Sequence, residues 1–135
     1  MNQYYYQFIQ KGCIYEIKDL LNMTNLSYNL GNVITYLFRA GFKLESTAEK
    51  DIKKAIDHLN YEIEKISIYG FKYDLRKPSI DYIALANDRF KDNHILRSAF
   101  CLLIGLTTDK CNLSNYLNTI ESTIAILESY LNEYL

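Results

Sequence analysis

The stretch "STAEKDIKKAIDHLNYEIEKI", residues 46–66, decides the fold. Ile52, Ile56, Leu59, Ile63 and Ile66 recur at alternating spacings of four and three, with Ala55 beside them. Apolar side chains at that period share one stripe of an α-helix, and lysines, aspartates and glutamates fill the other faces. Ser46 and Glu49 have the spacing of a capping box, which places the helix start at 46. Residues 112–135 repeat the pattern. Leu113, Leu117, Ile120, Ile124, Leu127, Leu131 and Tyr134 form a coiled-coil-like seam, suited to bundle packing or to a second subunit.

The remaining segments are arranged around these two helices. Residues 28–40 read as a mostly apolar helix that ends before Gly41, a residue suited to the left-handed helix exit. Residues 13–22, "CIYEIKDLLN", read as a short amphipathic helix, and the tyrosine-rich N-terminus as a further turn or two. Pro78 can start a helix over about 79–90, and 93–105 is apolar on nearly every side, as a central helix would be. In "ISIYGFKYDL", residues 66–75, Phe71, Tyr73 and Leu75 alternate like a strand without a partner, which predicts an extended connector. The predicted fold is all-α: a helical bundle built from two antiparallel helical hairpins. The whole of residues 1–135 forms one domain, with 12–66 supplying the first hairpin and 78–135 the C-terminal helices.

Composition narrows the function classes. The chain has 135 residues, 49% of them hydrophobic, and a formal net charge of −1. This suits a globular domain, and near-neutrality argues against a dedicated nucleic-acid binder. Thirteen tyrosines and no tryptophan supply apolar area with hydroxyl tips, useful at wet interfaces and ligand pockets. Cys13, Cys101 and Cys111 form no CxxC pair, so neither a disulfide framework nor a zinc site is indicated. No basic segment precedes an apolar run at the N-terminus, and no apolar run approaches membrane-spanning length. The expectation is a cytoplasmic protein with no membrane partner.

The candidate site lies at the 28–43 corner, "YNLGNVITYLFRAGFK". On a helix Asn32, Thr35, Tyr36 and Arg39 share one face, while Leu30, Val33, Ile34, Leu37 and Phe38 cover the others. A polar stripe ending in arginine on an otherwise buried helix calls for a partner. A short link to residue 46 brings Arg39 and Lys43 near Lys50, Asp51 and Lys54 at the next helix start, where free N–H groups favour anions. Arg39, Lys43, Lys50 and Lys54 then form a phosphate cradle, with Asn32 and Tyr36 placed to meet a base or sugar. The competing reading is that Arg39 pairs with Asp51 across the hairpin and the lysines are a solvated face.

The run "GNVITYLFRAGFK", followed at helix spacing by "KDIKKAIDHLNYEIE", resembles a family of small phage proteins that includes the nucleoside-monophosphate kinase of podophages. The matching positions are Gly31, Asn32, Tyr36, Arg39, Gly41, Lys43, Asp51, Lys54, Ala55 and Leu59, and the likeness covers about residues 12–66. Thr35 stands where the family usually has a lysine, and Ile52 where it has a leucine. The missing lysine removes one candidate phosphate contact. The resemblance therefore implies a nucleotide, or another phosphate-bearing small molecule, as ligand more directly than it implies phosphoryl transfer. It also implies host-cell cytoplasm as the location.

Other constellations are sparse. His58 and Glu62 have i,i+4 spacing, yet a pair without a third ligand is ordinarily a surface pair. His94 follows Asp92 and Asn93 at a helix start, where capping accounts for the run. No GxSxG or Walker sequence and no paired ExxE and ExxD motifs are present. No tightly bound cofactor or protein-held metal is expected, and any magnesium would arrive with the nucleotide. Two alternatives stand beside nucleotide binding. One is a non-enzymatic phage inhibitor or sponge that captures a host signalling nucleotide or blocks a host defence protein. The other is a structural helical oligomer. Under each of them, the seam of 112–135 predicts a homo-oligomer.

Overall fold

Lys11 and Gly12 reverse the chain with positive φ values of 51° and 75°. A two-residue turn of that hand matches the twist of the strands it joins. It connects β1 (Gln7–Gln10) to β2 (Cys13–Glu16), antiparallel, with Phe8 opposite Tyr15 and Ile9 opposite Ile14. Phe8 and Tyr15 stack at 5.4 Å on the covered face, while Ile9 and Ile14 point outward. The all-α expectation is thereby corrected: the fold is mostly helical with a small two-stranded sheet. So is the 13–22 helix, whose first four residues are strand. The computed structural model describes residues 6–40 and 45–135, and the side chains of 6–40 and 48–135.

The helices are α1 (Ile17–Thr24), α2 (Tyr28–Ala40), α3 (Glu45–Tyr69), α4 (Tyr82–Arg89), α5 (His94–Gly105) and α6 (Leu113–Tyr134). Ser27 caps α2: its Oγ accepts from the Leu30 N–H at 3.2 Å. Asn93 caps α5, as its place in the sequence predicts, by accepting from the Leu96 N–H. The cap of α4 is Asp81, three residues beyond the predicted start at Pro78. The exit at Gly41 and the capping side chain of Ser46 lie outside the described residues.

α2 packs along α3, α5 packs on α6, and α3 also meets α6. Asn29 of α2 meets Glu62 of α3, while Arg39 meets Asp51, so these two helices run in opposite directions. Phe38, Phe90 and Phe100 converge from α2, the end of α4 and α5, with ring centroids 5.3–5.7 Å apart. Tyr6 adds its edge to Phe38 at 5.4 Å, which ties the β-hairpin to this core.

α3 runs three residues past its predicted end and stops at Gly70, whose φ of +90° suits glycine. The connector that follows lacks regular structure, as predicted, and is strapped down by polar contacts. The Arg76 N–H donates to the Thr24 carbonyl at 3.0 Å, and the Tyr73 hydroxyl donates to the Leu106 carbonyl at 2.6 Å. On α6 the buried face is Tyr116, Ile120, Thr123 and Leu127. The predicted seam is rotated: Ile124, Leu117 and Leu131 lie at its flank, and Leu113 and Tyr134 are exposed.

Candidate functional site

The polar stripe of α2 is where the sequence places it. Asn32, Thr35, Tyr36 and Arg39 are half-buried, while Leu30, Val33, Ile34, Leu37 and Phe38 are fully enclosed. Two members of the stripe bond within their own helix. Asn32 donates its amide to the Tyr28 carbonyl at 2.8 Å, and the Thr35 hydroxyl donates to the Gly31 carbonyl at 3.0 Å. Arg39 reaches across to Asp51 at 3.8 Å, with side-chain exposures of 34% and 2%. This is the pair that the competing reading expects, a buried carboxylate facing a half-buried guanidinium.

Tyr36 sits at the centre of the corner. The Arg39 guanidinium lies 5.8 Å and the Lys54 ammonium 5.7 Å from its ring centroid, within cation–π range. The His58 ring stacks on it at 5.8 Å. His58 in turn makes T-shaped contacts with Tyr28 at 5.9 Å and Tyr61 at 5.4 Å, and both tyrosines are exposed. Lys50 is exposed one turn away, and Lys53 is engaged with Glu49 at 3.1 Å. Lys43 lies outside the described residues. The structure thus brings Tyr36, Arg39 and Lys54 together and leaves Asn32 occupied by its own helix. It adds Tyr28, His58 and Tyr61, which the stripe alone did not point to.

Glu62 is the residue that sequence spacing misread. It is buried, with 2% of its surface exposed, and is tied to three elements. Ser27 and Asn29 donate to Oε1 at 3.0 and 3.4 Å, Tyr116 donates to Oε2 at 2.8 Å, and Lys65 stands 3.6 Å from Oε1. The donor most distant in the chain, Tyr116, comes from α6, so no local pattern could have shown it. A cavity of about 240 Å³ adjoins this network, lined in part by Glu62, Lys65, Phe71 and Tyr116.

A second buried charge, Arg89, lies under three aromatic rings, 5.1 Å from Tyr6, 5.7 Å from Phe38 and 5.9 Å from Phe90. Desolvation pulls its guanidinium down to about 10, partly offset by Tyr6 and Asp88. The Tyr6 hydroxyl donates to Asp88. Burial, followed by the Asp88 carboxylate, holds the Tyr6 phenol well above its usual value, and burial followed by Glu62 does the same for Tyr116. A phenol whose pKa is raised by folding stabilises the fold below its unfolded value near 10, and that contribution fades as pH rises through the folded value. Urea midpoints should therefore fall as pH rises from about 10 toward 12, and Tyr6→Phe with Tyr116→Phe should flatten that fall. An unchanged slope in the double variant would place the titration elsewhere.

Among the described residues no group of three or more His, Cys, Asp or Glu is placed to hold a metal, and no helix is long and apolar enough to cross a membrane. No protein-family model matches the chain, nor does any curated protein or solved structure.

Proposed function

We propose that this protein binds a nucleotide at the α2–α3 corner, with Arg39 and Lys54 taking the phosphate and the aromatic shelf beside Tyr36 taking the base. The observation that carries this reading is one ring, Tyr36, flanked by two cations and an imidazole at 5.7–5.8 Å. Cations beside stacking surfaces suit a ligand that is anionic at one end and planar at the other. Buried Asp51 orients Arg39, whose side chain is 34% exposed at the corner. The resemblance of residues 12–66 to the phage family supports the same ligand class. Nucleoside-monophosphate kinase activity is the finer version of this reading, with magnesium delivered by the triphosphate.

Beside the corner, the Tyr28 and Tyr61 side chains stand open to solvent. That openness favours a second reading, in which exposed Tyr28 and Tyr61 with Arg39 dock on another protein, since tyrosine and arginine dominate interface hot spots. This is the inhibitor or anti-defence role.

A thermal-shift panel of linear and cyclic nucleotides, followed by calorimetry, tests the first reading. Lys54→Ala, at an exposed position, should weaken binding about tenfold to hundredfold, the worth of a charge-assisted contact of about 1.5–3 kcal/mol. Arg39→Ala should do the same and also lower stability by removing the ion pair to buried Asp51, whereas Lys53→Ala should change neither. A panel without a single stabilising nucleotide would remove the reading.

The proposal extends to assembly through the flank of α6. Leu117, Ile124 and Leu131 are half-buried there, continuous with exposed Leu113 and Tyr134. Light scattering at micromolar concentration should give a dimer mass, reduced to monomer by Ile124→Glu. Leu127 cannot serve for this test because it is fully buried within the fold. A wild-type monomer mass would refute self-association.

A further inference from the structure

The hydrogen bonds behind the corner fix more than position. Glu62 Oε1 already accepts the Ser27 hydroxyl at 3.0 Å, and a carboxylate oxygen cannot donate. Asn29 must therefore turn its NH₂ toward Glu62, at 3.4 Å, and its carbonyl oxygen toward His58. That oxygen lies 3.0 Å from His58 Nδ1 and can accept but not donate. The proton of the neutral imidazole is thus on Nδ1, the less common form for a histidine in water. Nε2 is left as a bare lone pair. It has no protein partner among the described residues and is not one of the buried polar atoms. Its ring is T-shaped to both Tyr28 and Tyr61 and stacks on Tyr36.

The geometry points to His58 as the specificity-determining residue of the corner: its Nε2 accepts an N–H from the exocyclic amine of a nucleobase lying on the Tyr28–Tyr61 shelf. This rests on the nucleotide reading above and names the substrate class within it, nucleotides with an amino-bearing base. A lone-pair acceptor selects for a donor edge, and a base with hydrogen in place of the amine leaves the acceptor facing an aromatic C–H. The chain from Glu62 through Asn29 sets this preference, as a partner on one ring nitrogen decides what the other can do. Asn29 and Glu62 are positioning residues here, since neither touches the ligand.

Two measurements test it on the full chain. Long-range ¹⁵N correlation spectra of the neutral imidazole should show the Nδ1–H form, and Asn29→Ala should restore the ordinary Nε2–H form. If Asn29→Ala fails to fold, the wild-type spectrum decides alone, and an Nε2–H form there overturns the inference. Calorimetry with AMP and CMP against their deamino analogues, purine riboside 5′-monophosphate and the 4-deamino cytidine monophosphate, reads the preference. The amino-bearing nucleotide of at least one pair should bind about threefold to tenfold more tightly, the worth of one hydrogen bond. The Nε2 resonance should move on saturation while Nδ1 stays. Equal affinity within both pairs overturns the assignment of His58 and leaves phosphate binding at Arg39 and Lys54 standing. Failure of all four nucleotides to bind, with the Nδ1–H form present, removes the nucleotide reading itself and this inference with it.

Discussion

Phe38→Ala should lower the unfolding free energy by about 4 kcal/mol, within the range for emptying a fully buried phenylalanine site. Phe38 is 1% exposed and touches the rings of Tyr6, Phe90 and Phe100 while the Arg89 guanidinium lies over its face. Truncation therefore removes apolar area, leaves a cavity that three elements cannot collapse into, and loosens the seat of a buried cation. Against a typical total of about 5–15 kcal/mol, this one change removes a large share of the stability. Urea denaturation monitored by circular dichroism measures it. A loss below about 1 kcal/mol would mean that the aromatic cluster is not packed in solution.

The second large effect belongs to Glu62→Ala, expected at about 3 kcal/mol. The variant removes the common acceptor of Ser27, Asn29 and Tyr116, and the Tyr116 hydroxyl is then left in the interior without its acceptor. Glu62→Gln should cost about half as much. Its amide oxygen still accepts from Ser27 and Asn29, while its NH₂ meets a Tyr116 hydroxyl that must turn from donor to acceptor. Glu64→Ala, two residues along on the exposed face, should stay within about 0.5 kcal/mol of wild type. Equal costs for the Glu62 and Glu64 variants would show that the buried network contributes nothing. Asn29→Ala should fall between the two Glu62 variants, and its cost should not add to theirs, because the three residues share one network.

These two sites show where sequence and tertiary structure divide. Among the described residues α3 and α6 were legible because their apolar positions recur at the helical period. Pro78 announced α4 and an all-round apolar run announced α5, and each of these signals is a local property of the chain. The polar stripe of α2 was legible for the same reason. Among residues that otherwise bury on every side, Asn32, Thr35, Tyr36 and Arg39 fall on the one face left toward solvent. The meeting of Arg39 with Asp51 followed from a short link between two helices of known length.

The β-hairpin was not read from the sequence although its turn is written there as Lys11–Gly12. Strands of four residues are too short to show a period. The outward pair Ile9–Ile14 makes the pattern look helical, since the covered side is held by Phe8 and Tyr15 against Tyr6 and Phe38. Periodicity likewise established that α6 is a helix and left its rotation open. Contacts with α3 and α5 decided that Tyr116 and Thr123 face inward and that Leu113 and Tyr134 do not. Glu62 is the clearest case. Four residues after His58, it reads as one end of a surface pair. A carboxylate can be buried only where enough donors converge on it, and here they come from Ser27, Asn29 and, 54 residues on, Tyr116. The sequence by itself determined the helices and the charged corner. Which polar groups go inside, and hence which nitrogen of His58 faces outward bare, was decided only when distant donors were folded around one carboxylate.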